Sequence, residues 1–190
     1  MMTRKLPTWQ KFLDEKENQQ RDFSSTQINL PKAITNEIIA FSKEHIPDSF
    51  LYQKENNAYD DYGREINSHV TILYGLKDED PDAAKKILEQ QRPVVLKLGR
   101  ISAFDTNDEY DVIKIDVNSP DLHKLHKLLK ALPFHNDYPR YQPHVTIAYV
   151  KKGKGKRIIG NGTFDGEIIK TNKVVFSSLN GDKTEIELKK

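Results

Sequence analysis

Apolar and polar positions alternate along this chain in short blocks, and the period changes from block to block. Ser24–Leu30 follows the two-residue period of a strand, and Pro31 opens an amphipathic helix running to about Glu44. Residues 53–67 are polar with a glycine near their end, and read as loop. His69–Leu76 is strand-like. Asp80 and Pro81 then start a helix carrying Ala84, Ile87 and Leu88. Val94–Phe104 and Tyr110–Val117 are expected strands, joined by the turn-rich Asp105–Glu109 segment. Asp121–Leu132 is predicted helical because Leu122, Leu125, Leu129 and Leu132 share one face. Val145–Val150 returns to strand, and Lys151–Gly155 is a basic loop. Ile168–Lys170, Lys173–Ser177 and Thr184–Leu188 follow as short strands, the last two linked by the hairpin signal Asn180–Gly181.

This order predicts an α+β fold of antiparallel sheet with helices packed outside it. Residues 1–23 are polar apart from Trp9, Phe12 and Leu13, and form an expected N-terminal extension with a short helix after Pro7. Residues 24–190 are expected to make one domain.

Charge and composition narrow the function. Thirty Lys and Arg against 28 Asp and Glu leave a net charge of only +2. Proteins that coat long nucleic acid carry a larger basic excess, so the balance points to a small anionic ligand or a local phosphate site. The chain has no cysteine, which excludes disulfide frameworks, thiolate nucleophiles and Cys-containing zinc sites. Gly153-Lys154-Gly155-Lys156 lacks the spacing of a P-loop, so ATP use is not expected. The first residues lack the apolar run of a signal peptide, and no stretch is long enough to span a bilayer. The expectation is a cytoplasmic protein with no membrane partner, no cofactor and no obligate protein partner.

The informative feature is an internal echo. Ser68-His69-Val70-Thr71-Ile72-Leu73-Tyr74 reappears as Pro143-His144-Val145-Thr146-Ile147-Ala148-Tyr149, with five of six positions identical from the histidine onward. Duplicated half-domains explain such a repeat. On a strand, alternate side chains share a face, so His69, Thr71 and Leu73 point one way while Val70, Ile72 and Tyr74 point to the core. His144 and Thr146 likewise share a face opposite Val145, Ile147 and Tyr149. Two such strands facing a cleft would set two imidazoles and two hydroxyls around one small anion. Phosphodiester cleavage needs a base for the attacking hydroxyl and an acid for the departing oxygen. Histidine can serve as either near neutrality, and threonine hydroxyls can donate to charge building on the non-bridging oxygens. No metal is required.

The paired H-x-T strands resemble the 2H phosphoesterase superfamily. The resemblance covers roughly residues 24–188 and implies two pseudo-symmetric lobes with the active cleft between them, the RNA-ligase-like fold. Carried over, His69, Thr71, His144 and Thr146 are the catalytic positions. Within the superfamily, Thr71–Leu76, Asp111–Val117, Ser119–His123 and Pro143–Lys151 are similar to phage-encoded members, some of them anti-CBASS enzymes that destroy cyclic oligonucleotide alarm signals. The resemblance thus implies a small cyclic nucleotide substrate in a host cytoplasm, with short RNA as a further ligand. Three other functions are weighed against it: a 2′,3′-cyclic phosphate hydrolase of RNA or tRNA metabolism, a nucleotide- or RNA-binding module without turnover, and a structural phage component that carries the 2H unit as a passenger.

Around the repeat, Tyr62 and Tyr141 precede the two motifs and Lys151 ends the second motif strand, so all three are candidate substrate contacts; ordinary loop packing and solvation are the alternatives. His123 and His126, three apart on a helix beside the leucine face, read as a solvated side and not as metal ligands.

Overall fold

The computed structural model of the protein describes residues 23–52, 63–104, 108–135 and 140–189. The expected N-terminal helix and Tyr62 lie outside the described residues. The elements follow the order β1 (Ser24–Asn29), α1 (Lys32–His45), β2 (His69–Leu76), α2 (Asp82–Leu88), β3 (Val94–Phe104), β4 (Tyr110–Asn118), α3 (Pro120–Leu129), β5 (His144–Lys151), β6 (Ile168–Thr171), β7 (Lys173–Ser177) and β8 (Lys183–Glu187).

One antiparallel sheet of eight strands has the order β6-β3-β4-β5-β2-β1-β7-β8. It divides at its centre. β5 and β2 are joined by the single pair Val70–Val145, whereas the ladders on either side are long. The unit β1–α1–β2 repeats as β4–α3–β5, so the sequence echo corresponds to two four-stranded halves. The fold is therefore the α+β arrangement that the element order predicts, in the two lobes that the resemblance implies. Among the described residues no helix is long and apolar enough to cross a membrane.

Each helix packs on the motif strand of the other half, α1 on β5 and α3 on β2. Ile38 and Phe41 of α1, and Leu122, Leu125 and Leu129 of α3, join Val70, Ile72, Val145 and Ile147 in one buried core. Burial of these side chains is what binds the halves together, because the central ladder offers one residue pair. Helix α3 starts where Ser119 caps it. The Ser119 hydroxyl accepts from Leu122 N–H at 3.2 Å and donates to the Val95 carbonyl at 2.7 Å, tying the helix start to β3. At the far end of α1, the Arg64 guanidinium donates to the Ile46 carbonyl at 2.9 Å and to Asp48 at 2.7 Å, holding the turn after the helix.

Both motif strands contain a bulge. Pairing of β1 with β2 passes from Thr26–Leu73 to Gln27–Thr71 and skips Ile72. Pairing of β4 with β5 passes from Ile113–Ala148 to Lys114–Thr146 and skips Ile147. An inserted residue reverses the alternation beyond it. Hence Leu73 and Ala148 are buried while Tyr74 is 40% exposed, which corrects the expectation that Leu73 shares the cleft face and Tyr74 faces the core. Tyr149 is half-buried.

The end of β2 makes a close approach. Gly75 has φ +97°, and His135 N–H donates to its carbonyl at 2.7 Å. A Cβ at this glycine would lie 2.1 Å from the His135 carbonyl oxygen. Gly75→Ala combines left-handed strain with a backbone clash. It should destabilise the fold by about 2 kcal/mol or more, read as a lowered midpoint in urea unfolding. An unchanged midpoint would show that the His135 segment yields freely.

Candidate active site

His69 and His144 open their strands in the same way. Each ring is held by its Nδ1, 2.7 Å from the carbonyl two residues earlier: Asn67 for His69 and Gln142 for His144. A carbonyl only accepts, so Nδ1 carries the hydrogen in both rings. Nε2 is thereby the atom free to take up or release a proton, and it is the same atom in both halves.

The pair Val70–Val145 fixes how the two strands meet. Continued one residue either way, that antiparallel register sets His69 level with Thr146 and Thr71 level with His144. Directly opposite side chains share a face at Cβ separations of about 4.5–5.5 Å. Two imidazoles and two hydroxyls therefore form a square on the face opposite the buried valines. All four side chains are half-buried, and among the described residues neither threonine hydroxyl has a hydrogen-bond partner. The structure thus brings together His69, Thr71, His144 and Thr146.

The neighbouring strands extend the square unequally. On β4, Lys114 pairs with Thr146 and Asp116 with His144; on β1, Gln27 pairs with Thr71 and Asn29 with His69. The Lys114 ammonium bonds to Asp116 and donates to the Ser102 hydroxyl at 2.7 Å, and it lies 4.4 Å from the centre of the Phe104 ring. Ser102 in turn donates to Asp116 at 2.7 Å. The edge of the Phe104–His144 pair closes this corner, with ring centres 4.8 Å apart and planes nearly perpendicular. On the other half the equivalent residues are neutral: the Gln27 amide donates to the Asn29 oxygen at 2.7 Å.

These surroundings act on His144. Burial holds its imidazolium below the ordinary histidine range; the Gln142 carbonyl works against this, Lys114 and His69 add to it, and Asp116 opposes it. Burial also works against charge on Asp116, but the hydrogen bonds from Lys114 and Ser102 outweigh it and keep the carboxyl below its usual range.

The outer candidates fall differently. The Tyr141 hydroxyl donates to the Thr71 carbonyl at 2.9 Å, and its ring stacks on His126 with centres 4.0 Å apart. Burial pushes its phenol up. Tyr141 thus ties the loop before His144 to the strand carrying His69. His126 is half-buried and donates through Nδ1 to the Ile72 carbonyl at 2.7 Å, which corrects the expectation of a solvated helix side. Its burial lowers its pKa, with Lys130 and His123 acting in the same sense. Lys151 is exposed and donates to the Ser49 carbonyl at 3.0 Å. In the loop after it, Lys152 pairs with Asp111 at 3.2 Å and Lys154 sits over Phe50. Among the described residues no group of three or more His, Asp or Glu side chains forms a candidate metal site.

The sequence profile of the family described as anti-CBASS protein Acb1 matches residues 52–185, more than half of the chain. The chain belongs to this family. As a member carrying both H-x-T strands on the 2H fold, it is a phosphodiesterase. Solved structures share the fold at low identity. TT0787 of Thermus thermophilus is 13% identical with a TM-score of 0.61, over 88% of this chain and 100% of that one. Escherichia coli LigT complexed with NADP+ is 16% identical with a TM-score of 0.59, over 88% and 95%. The same protein complexed with 3′-AMP is 16% identical with a TM-score of 0.57, over 88% and 94%.

Proposed function

We propose that this family member cleaves a small cyclic oligonucleotide in the cytoplasm of a phage-infected host, with His69 and His144 as its acid–base pair. The observation that carries the reading is the identical tether of the two rings, which leaves two equivalent Nε2 atoms on the strands that also carry Thr71 and Thr146. One Nε2 takes the proton of a 2′-hydroxyl as its oxygen attacks the adjacent phosphorus, and the other gives a proton to the oxygen whose bond to phosphorus breaks. Water attacking a cyclic phosphate would use the same two atoms. Thr71 and Thr146 donate to the non-bridging oxygens as charge accumulates there. The nucleotides bound by LigT, 3′-AMP and NADP+, are consistent with a nucleotide in a cleft of this fold.

Tyr62, Tyr141 and Lys151 are the proposed outer contacts. The Tyr141 hydroxyl already serves Thr71, so the part it can offer a base is its ring.

The test is incubation with 2′,3′-cyclic mononucleotides, cyclic di- and trinucleotides and short RNA in excess EDTA, followed by chromatography. Turnover of a cyclic oligonucleotide is expected to persist in chelator, since imidazoles supply both proton transfers. Activity lost in EDTA and restored by one divalent ion would defeat the two-histidine mechanism. Preference for the 2′,3′-cyclic mononucleotides would move the function to RNA-end metabolism, and binding without products would leave a nucleotide-binding module. In the same assay Thr71→Ala and Thr146→Ala should each lose on the order of 100- to 1,000-fold in kcat. Rates within a few-fold of the parent would remove the hydroxyls from the transition state.

A further inference from the structure

The two halves of the cleft are equivalent in their histidines and threonines but not in the residues one strand further out. Where one half has Gln27 and Asn29, the other has Lys114 and Asp116, at matching register positions. Lys114 is only 5% exposed, an unusual place for an ammonium, which ordinarily stays in water. It is retained there by Asp116, Ser102 and the face of Phe104, whose ring abuts His144. An ion pair would seem to cancel itself, but its members are not equally placed. The side chain of Asp116 is 55% exposed, so water screens its field, whereas that of Lys114 is 6% exposed and acts through the protein interior. Among the described residues the strand beside His69 offers no such pair, because Gln27 and Asn29 are neutral.

We infer that Lys114 is the positioning residue that breaks the symmetry of the cleft, holding His144 ready to accept a proton and leaving His69 to donate one. This rests on the two-histidine reading above and adds the direction of proton flow. His144 Nε2 takes the proton of the attacking 2′-hydroxyl; the new bond joins that oxygen to phosphorus. The bond from phosphorus to the departing 5′-oxygen breaks, and His69 Nε2 supplies that oxygen with its proton. The groups that face His144 are Lys114 and Asp116 from β4, His69 from β2 and the Gln142 carbonyl of its own loop. Lys114 acts through His144 and is not itself assigned a bond to the substrate.

Leaving-group chemistry separates the two roles. A ribonucleoside 3′-(4-nitrophenyl phosphate) expels a phenolate that needs no proton, whereas a dinucleoside phosphate expels an alkoxide that does. His69→Ala is expected to lose on the order of 100-fold or more on the dinucleotide and to regain most of it on the nitrophenyl ester. His144→Ala should be poor on both. The reverse pattern, or no recovery by either variant, overturns the assignment while leaving the paired-histidine chemistry standing. Near-normal rates in both alanine variants would instead defeat that chemistry itself.

The role of Lys114 is read from the pH dependence of kcat/KM on the dinucleotide. The acid limb reports the group that must be neutral. Lys114→Met removes a cation and leaves Asp116 unopposed; both changes favour the imidazolium, so the acid limb moves to higher pH. Lys114→Arg keeps the charge and should keep the limb in place. Asp116→Asn removes the carboxylate charge but keeps an oxygen that can accept from Lys114 and Ser102, so it acts oppositely and moves the limb to lower pH even where the methionine variant fails to fold. A loss of rate with no movement of the limb in either direction would make Lys114 merely structural and overturn the inference.

Discussion

Replacing either histidine of the square by alanine is expected to reduce kcat on the physiological phosphodiester by on the order of 100- to 10,000-fold, with little change in thermal stability. The stability half of this expectation follows from the packing. Both rings are half-buried on the cleft face, and the core beneath them is made by Val70, Ile72, Val145 and Ile147. The ring of His144 gives up its contact with Phe104, and each ring gives up one hydrogen bond to a loop carbonyl. Those are losses of about 1 kcal/mol apiece. The rate half follows from the roles. Base and acid act in one displacement, so the His69→Ala/His144→Ala double variant should fall hardly further than the worse single one. Single-turnover rates on purified variants, with circular dichroism melts beside them, check both halves. If one single variant turned over at nearly the parent rate while folded, its imidazole would not be half of the pair. An unfolded variant would show instead that the loop tethers hold the strand starts together.

Much of this site is legible in the order of the residues alone. The echoed H-x-T strands fall at His69–Leu76 and His144–Lys151, and Val94–Phe104 and Lys173–Ser177 form the strands their alternation predicts. What the pattern misses has identifiable causes. Period-two counting cannot detect an inserted residue, so the bulges at Ile72 and Ile147 are invisible to it and Tyr74 falls on the wrong face. His126 sits beside a leucine stripe in a way that fits solvent, but the carbonyl it meets belongs to Ile72, 54 positions earlier. Lys114 leaves a faint trace, since Val112, Lys114 and Asp116 alternate with Ile113, Ile115 and Val117. That alternation says two charges share a face. It does not say that the face is the cleft, because the pairing of β4 with β5 is a property of the sheet and not of either segment. Local periodicity supplies the strands, duplication supplies the pair, and only the register supplies the neighbours that make the halves unequal.

A bell-shaped dependence of kcat/KM on pH is the second large effect expected, with rate falling about tenfold per pH unit beyond each limb. One imidazole must be neutral to accept and the other charged to give, so only the singly protonated pair is productive. The sign on the acid side follows from the surroundings of His144. Burial, Lys114 and His69 all disfavour its charged form, so it loses its proton at lower pH than an ordinary histidine. The acid limb should therefore lie below about 6.5, the unperturbed value. Two rings around one anion interact, so the limbs are properties of the pair. A bound phosphodiester carries negative charge into the square and favours both protonated forms. The kcat profile, which reports the complex, should accordingly sit at higher pH than the kcat/KM profile, which reports the free enzyme. Adding salt should narrow that displacement only slightly, because the groups are half-buried and poorly screened. Both profiles measured on one cyclic dinucleotide, with single-turnover controls showing that chemistry limits the rate, decide the matter. A flat response between pH 5 and 9 under those conditions would mean that neither imidazole exchanges a proton during the displacement, and the square would then be a binding surface whose chemistry comes from elsewhere.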